Sequence, residues 1–451
     1  MTGLTAELVA RVARITPAAL DEAARANACA LILDTIGVIV AGHEEPLGVG
    51  RIACDYARMM GGAPQAGVLG ASLRLPMTQA AFVNGTLGHA LDFDSTLFPL
   101  IHPSSPSVPA ILAAAEYVGA SGADVVAAYV AAVEVQARMR LAARGWSAGQ
   151  GFHKPGIVGL IGATVGAGRI LGLDERQMVM ALGQAGSRAG AIAINTGTMT
   201  KSSHSGHAAR MGVECAVLAQ MGWTATGDVF GKGGVLDCFV GADTDPQALT
   251  RDFAAPFYLV SPGVGIKKYP CNYFTHRVID GVLALRAGHD FAPGDVQGIG
   301  IEFPDFDYVI RPRPDSGLDA KFSIQYTAAV AVLDGAVGLQ SFSQARWSAP
   351  DVQAMLGRVR VDKNPDIPAD FTRMHCVITL DLADGRQLRQ QVRELSGWAD
   401  SPLSADQRHA KFRNCLANRP DLDADRIIAG TEALFDCADI RDLMEKLNRD
   451  C

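Results

Sequence analysis

Residues 84–109 read NGTLGHALDFDSTLFPLIHPSSPSVP. Asparagine, glycine, histidine, aspartate, serine, threonine and proline crowd together here, between alanine-rich stretches of helical character. Polar groups set among apolar helices are costly to bury unless they find partners. The stretch is therefore expected to be a polar loop around which a helical fold is organised. On it, Asp92, Thr96 and His102 are expected to lie beside a small anionic substrate.

Working outward, the flanks support a helical reading. Upstream, Pro76 to Leu87 fits a helix with proline in its first turn. Residues 4–42 and 47–60 are also helical in pattern, with Thr16-Pro17 as a start signal and a GGAPQAG loop after the second. The apolar run ACALILDTIGVIVAG is interrupted by Asp34 and too short to span a bilayer, so it predicts a buried helix. Downstream, residues 110–118 and 124–140 have helical periodicity. A second polar loop, WSAGQGFHKPG (146–156), and a third, GTMTKSSHSGH (197–207), fall among predicted helices at 159–171, 175–185 and 207–221. No strand pattern appears in the first 260 residues.

The pattern changes near Lys267. Residues 297–303, 357–362, 374–382 and 387–394 alternate as strands do, and Asp384-Gly385 between the last two marks a hairpin. Helices are predicted at 275–287 and 321–337, and from Ser404 the pattern is helical to the end. The expectation is a mainly α protein: a large all-helical domain (1–266), an inserted smaller α+β lid domain (267–398), and C-terminal helices (399–451) that return to the first.

Composition narrows the function. With 49% hydrophobic and 19% charged residues, the chain has the balance of a soluble globular enzyme. Its net charge of −7 argues against nucleic acid as a partner, which would need a broad basic surface. A few lysines in a cleft can still attract a small anion. Nine scattered cysteines without C-x-x-C, and no signal peptide, predict a reducing cytoplasm and no zinc ribbon or iron–sulfur motif. No membrane association is expected.

Each candidate residue has a plainer alternative. Asp92 and Asp94 flank Phe93, so one can face inward and the other away, or both can cap the following turn. His102 and His153 can be loop histidines satisfied by backbone. Lys201 and His204 share a face if a helix begins there, and a solvated helix start is the plain alternative. A zinc site from His204 and His207 lacks any supporting H-E-x-x-H or cysteine pattern, so no metal is expected. Lys267-Lys268-Tyr269-Pro270 marks the predicted domain boundary, where ligand pockets often form. The glycines of ATVGAGRILG follow no predicted strand and are assigned to helix packing.

Together these stretches resemble the MmgE/PrpD family, which includes 2-methylcitrate dehydratase, cis-aconitate decarboxylase and iminodisuccinate epimerase. The resemblance rests on NGTLGHALDFDSTLFPLIHPSS, GFHKPGIVGLIGATVGAGRILGL, GTMTKSSHSGHAARMGVECAVLA, IKKYPCNYFTH and AKFSIQYTAAVAVLDG, with a weaker SPLSADQRHAKF. It covers nearly the whole chain. It implies a helical domain plus an α+β lid, a homodimer, no metal or organic cofactor, and a small di- or tricarboxylate as substrate. It points to Asp92, His102, His153, Lys201 and Lys267 as catalytic residues, and to Thr96, His204, Asn272 and Tyr326 as substrate-binding ones. Three departures stand out: Ser95 replaces the second aspartate of D-F-D-D-T, GFHKPG replaces G-W-H-x-T-G, and Asn272 stands where decarboxylase-like members carry histidine.

The reactions of such enzymes develop charge on a carbon next to a carboxylate. A positioned acid or base contributes about 10²–10⁴-fold, and fixed cations and donors must stabilise the enolate-like state as well. His102 is expected to be the leading acid/base and His153 its partner on another face of the substrate. Lys201 and Lys267 would hold carboxylates, Thr96 would donate a hydrogen bond, and Asp92 would orient a histidine or a substrate hydroxyl. Dehydration of the 2-methylcitrate type is the leading expectation. Dicarboxylate epimerisation and cis-aconitate-type decarboxylation are the alternatives, and a non-catalytic polycarboxylate binder is the remote one.

Overall fold

The computed structural model describes residues 2–146 and 151–447. It divides into two compact units. The first comprises residues 1–90, 94–266 and 404–451. The second comprises 267–403 and the tripeptide Leu91–Phe93.

The first unit is built from helices. Leu4–Ala13, Glu22–Gly42, Val49–Met60, Met77–Ala90, Ser104–Val118 and Gly122–Ala142 are followed by Val158–Ile170, Glu175–Arg188 and Met199–Gln220. Ala405–Cys415, Ala424–Glu432 and Arg441–Leu447 complete it. Glu22–Gly42 is long and apolar enough, by length and composition alone, to cross a membrane. Here it is a core helix: every residue from Leu31 to Gly42 is buried, and Asp34 takes an ion pair of 2.6 Å from Lys411 of the helix Ala405–Cys415. A buried carboxylate is tolerable only when so compensated. The pair also ties the C-terminal part of the chain to the first part, and Ser404 starts that helix with a capping box closed by Gln407.

The helices nearest the site cross closely. A methyl group on Gly206 would lie 2.4 Å from the carbonyl oxygen of Phe82, and one on Gly85 would lie 2.9 Å from Gly206 Cα. Only glycine at both positions lets Met77–Ala90 and Met199–Gln220 approach backbone to backbone. Ser105 and Ser205, 3.1 Å apart at their hydroxyls, join Ser104–Val118 to Met199–Gln220.

Three sequence expectations need correction in this unit. The stretch 84–109 is not a loop throughout, because helices claim residues 84–90 and 104–109. Its polar side chains are satisfied inside the helical packing: Asn84 accepts from Leu69 N at 3.0 Å and donates to Gly67 O at 3.0 Å. Likewise, helix begins at Met199 within the supposed third loop. Finally, strands are not absent from the first 260 residues. Ala66–Gly67 pairs antiparallel with Arg74–Leu75, held by Glu116, which accepts from Gly67 N at 2.7 Å and from Arg74 at 2.5 Å. A ladder of two residues is too short to leave an alternating pattern. Of the second predicted loop, residues 147–150 lie outside the described residues.

The second unit is α+β. Its four-stranded sheet has the order 359–363, 296–303, 376–382, 387–392. Strand 296–303 runs parallel to 359–363 and antiparallel to 376–382. The hairpin predicted at Asp384-Gly385 is present: Leu382 and Arg386 pair across it, and Gly385 has φ 88°, a conformation that favours glycine. Strand 376–382 is buried at all positions but Thr379 and Asp381, whereas 387–392 alternates, as a strand with one solvated face does. Helices His276–Gly288 and Ile324–Asp334 belong to the same unit. The fold is therefore the mainly helical protein with a smaller α+β part that the sequence predicts.

Candidate active site

The first unit gathers four histidines around one carboxylate. His89 lies in the last turn of Met77–Ala90. Asp94, Thr96 and His102 follow on the segment before Ser104. That segment is pinned by the reciprocal Thr96–Gly265 pair (2.9 and 2.8 Å) and by the Leu97–Ile101 pair (3.0 and 3.1 Å). His153 is placed by Gly151–His153 pairing with Ala191–Ala193, in which His153 N donates to Ala191 O at 3.1 Å. His204 and Lys201 come from the first two turns of Met199–Gln220, which the glycine crossing brings against Met77–Ala90.

Asp94 is fully buried, and its Oδ2 accepts from His89 Nδ1 at 2.9 Å and lies 3.4 Å from His102 Nδ1. His102 Nδ1 is also 3.1 Å from the carbonyl oxygen of Ser95 and 3.3 Å from Thr96 Oγ1. A carbonyl and a carboxylate can only accept, so His102 carries its ring proton on Nδ1, leaving Nε2 with the lone pair. The His89 ring packs edge-on against His102 (4.9 Å between centroids) and stacks on His153 at 5.4 Å. His153 and His204 share a hydrogen bond of 3.0 Å between their Nδ1 atoms.

This environment favours neutral imidazoles. Burial is the main cause holding His153 well below the ordinary histidine range, followed by His89, Lys201, His204 and His102. His204 is brought down to about 4 by burial, with His89, Lys201 and His207 adding to it. A neutral histidine at physiological pH can accept a proton, and one shielded from water transfers it in a defined direction.

Among the described residues, His89, Asp94 and His102 bring ligand atoms within 4.8 Å of one another and could hold a metal ion. Two of the three atoms are already engaged at 2.9 Å as donor and acceptor, which is the geometry of a hydrogen-bonded set.

The second unit holds other expected site residues in another setting. Lys267 Nζ donates to both the carbonyl oxygen of Asp92 (2.8 Å) and its Oδ2 (2.9 Å), and the pair is almost wholly buried. Asp92 has φ 52°, a left-handed backbone that aspartate tolerates better than most residues. Asn272 caps the turn Tyr273–Thr275, its side chain accepting from Phe274 N at 3.1 Å. Tyr326 is a core residue whose hydroxyl donates to Ser341 O at 2.6 Å. These backbone bonds give Asn272 and Tyr326 structural work.

Sequence reasoning passed over His89 and left Asp94 out of the expected catalytic set, yet they form the centre of the histidine cluster. The available signal was a histidine five residues before an aspartate, at the end of a predicted helix. Ser95 also takes a different meaning. Its hydroxyl is 2.5 Å from Ser104 Oγ, which is 2.6 Å from the Tyr129 hydroxyl, in a chain that is entirely buried.

The imidazoles of His89 and His102 thus meet on one buried carboxylate, with those of His153 and His204 packed beside them. The family models for the MmgE/PrpD N-terminal domain and C-terminal domain match residues 6–247 and 269–436, so the chain belongs to the MmgE/PrpD family. At the level of the family it is an enzyme acting on a carboxylate. It is 32% identical to the cis-aconitate decarboxylase of Homo sapiens over 92% of its own length and 89% of that protein. It is 32% identical to the Mus musculus cis-aconitate decarboxylase over 85% of its length and 80% of that protein. The cis-aconitate decarboxylase of Aspergillus terreus is 24% identical over 93% of this chain and 90% of its own.

Proposed function

We propose that this enzyme is a lyase of the cis-aconitate decarboxylase type, acting on a small unsaturated tricarboxylate. The observation that carries this reading is the 32% identity, over 92% of the chain, to a protein with that activity. Dehydration, the leading expectation from the family resemblance, gives way to the alternative on this ground.

In such a reaction the bond from carbon to one carboxylate breaks and carbon dioxide leaves. The electron pair delocalises towards the neighbouring carboxylated double bond, and one proton is then added to carbon. His102 is the proton carrier, because its Nδ1 is committed to Ser95, Asp94 and Thr96 and its Nε2 takes and returns the proton. Asp94 positions His102 and stabilises its imidazolium form. His153, backed by His204, is the second acid/base, and Lys201 supplies positive charge to a substrate carboxylate. Asp92 and Lys267 are kept as a charge-holding pair. Stabilising charge by preorganised groups in a dry site is worth more than in water.

Incubation with cis-aconitate in D₂O, followed by NMR, tests the reading. The expected result is one deuterium on carbon in a product that has lost carbon dioxide. Gain or loss of water without carbon dioxide release would return the assignment to dehydration. Exchange into an aspartate-derived acid alone would favour epimerisation.

A further inference from the structure

One helix of the first unit holds both sides of the hydrogen bond that fixes His102. Gly122–Ala142 is buried along most of its length, and among its many apolar residues stand Tyr129 and Gln136, whose side chains have no exposed surface. The Tyr129 hydroxyl is 2.6 Å from Ser104 Oγ, which is 2.5 Å from Ser95 Oγ. Gln136 Nε2 donates to Pro103 O at 3.1 Å and to Ser107 Oγ at 2.9 Å. Pro103 and Ser104 directly follow His102, and the carbonyl oxygen of Ser95 accepts from His102 Nδ1 at 3.1 Å. The backbone that carries the ring and the backbone that receives its Nδ1–H are therefore tied to the same helix.

Three hydroxyls in a row are a demanding way to fill a core. Each must find a partner once buried, and apolar side chains of matching shape would pack about as well. What the hydroxyls add is direction, because a paired buried polar network fixes one arrangement of its members. Burial raises the proton affinity of Tyr129 above that of an ordinary phenol, opposed by the Ser104 hydrogen bond and reinforced by Asp34. Tyr129 thus stays a neutral hydroxyl, and the chain holds position instead of carrying charge. An imidazole that takes and returns a proton needs such a hold, because a misplacement of about 1 Å can cost about 10²-fold in rate.

We infer that Tyr129 is a positioning residue for His102, acting through the Ser104 and Ser95 hydroxyls. Its effect on turnover rests on His102 being the proton carrier proposed above. Its hold on the ring does not depend on which reaction occurs.

The test uses the full-length protein with isotope-labelled histidine and two variants. Tyr129→Phe keeps the buried ring and removes the hydroxyl; Ser104→Ala cuts the chain in its middle and decides the matter if Tyr129→Phe does not fold. The Nδ1–H signal of His102 is assigned by NMR through its loss in His102→Ala. In ligand-free protein its exchange with solvent is expected to be at least about tenfold faster in either variant than in wild type. The Nδ1–H of His89, held by Asp94 at 2.9 Å without these hydroxyls, is expected to keep its wild-type rate and serves as the internal reference. With cis-aconitate as substrate, kcat is expected to fall about tenfold while KM stays within about twofold, the pattern of an interaction made in the transition state. Unchanged exchange at His102, a His102 signal already unprotected in wild type, or equal acceleration at His89 and His102 would overturn the proposal, since the chain would then be ordinary core packing. So would an unchanged kcat in an active enzyme. If wild-type protein does not turn over cis-aconitate, the reading of the reaction fails, and the exchange comparison alone decides the hold on His102.

Discussion

Asp92 and Asp94 are separated by one residue, yet they belong to different units and live by different chemistry. Asp94 is shared between two imidazoles, those of His89 and His102. Asp92 is held by an ammonium that donates to both its side chain and its backbone carbonyl. The first arrangement keeps protons movable, because neither partner needs to be charged. The second locks charge, because separating a buried ion pair exposes both members to a medium that cannot solvate them. A carboxylate's role is set by what it touches, and the left-handed turn at Asp92 lets one short segment serve both.

The sharpest way to break this contrast is at the proton carrier. His102→Ala should reduce turnover by about 10²–10⁴-fold, the usual contribution of a positioned acid or base. Its far-ultraviolet circular dichroism and melting temperature should stay close to wild type, since the ring is partly exposed at the edge of the cluster. Turnover within a few-fold of wild type would move the proton transfer to His153.

The two aspartates can then be set against each other with one substitution. Asparagine tolerates left-handed backbone, so Asp92→Asn changes charge without a backbone penalty. It leaves Lys267 buried without its counter-charge and should cost about 3–5 kcal/mol of unfolding free energy by denaturant titration. Asp94→Asn should instead lower turnover by about 10²-fold, with a smaller loss of stability, because the amide can still meet His89 but no longer favours a cationic His102. If both variants lose stability equally and Asp94→Asn keeps its rate, the distinction between a proton-moving and a charge-locking aspartate fails.

The sequence carried the fold further than it carried the site. Period-2 alternation with Asp384-Gly385 located the hairpin, and the three polar stretches located the segments that bear His102, His153 and His204. Which parts of those stretches are helix was harder to see. Asn84, Ser104 and Ser105 look like loop residues until their partners at Leu69, Gly67, Tyr129 and Ser205 are known, and those partners come from distant positions. Tyr326 and Asn272 were hard to read for a related reason: a hydroxyl or an amide can serve a ligand or a backbone, and their backbone partners at Ser341 and Phe274 leave no local pattern. The pairing of Asp92 with Lys267 and of Asp94 with His89 depends on a single backbone reversal at a non-glycine residue, which leaves no trace in composition.

The smallest effect concerns pH, and it comes from the buried histidines. His204 has its proton affinity reduced to about 4, chiefly by burial, against about 6.5 in an unfolded chain. His153 is shifted in the same direction. Between these values the unfolded chain binds more protons than the folded one, so stability rises with pH across this window. Equivalently, stability is full above about pH 6.5, falls as the pH drops, and stops falling from this source below about 4. In the second unit His276 behaves in the same way, brought down to about 3 by burial with Lys267 adding to it. The melting temperature should therefore decline as the pH falls through this range, and His204→Gln should flatten the decline without abolishing it. The glutamine keeps a hydrogen-bonding group near His153 but cannot take up a proton on unfolding. A decline identical in the variant would place the acid sensitivity in His153, His276 and the carboxylates instead.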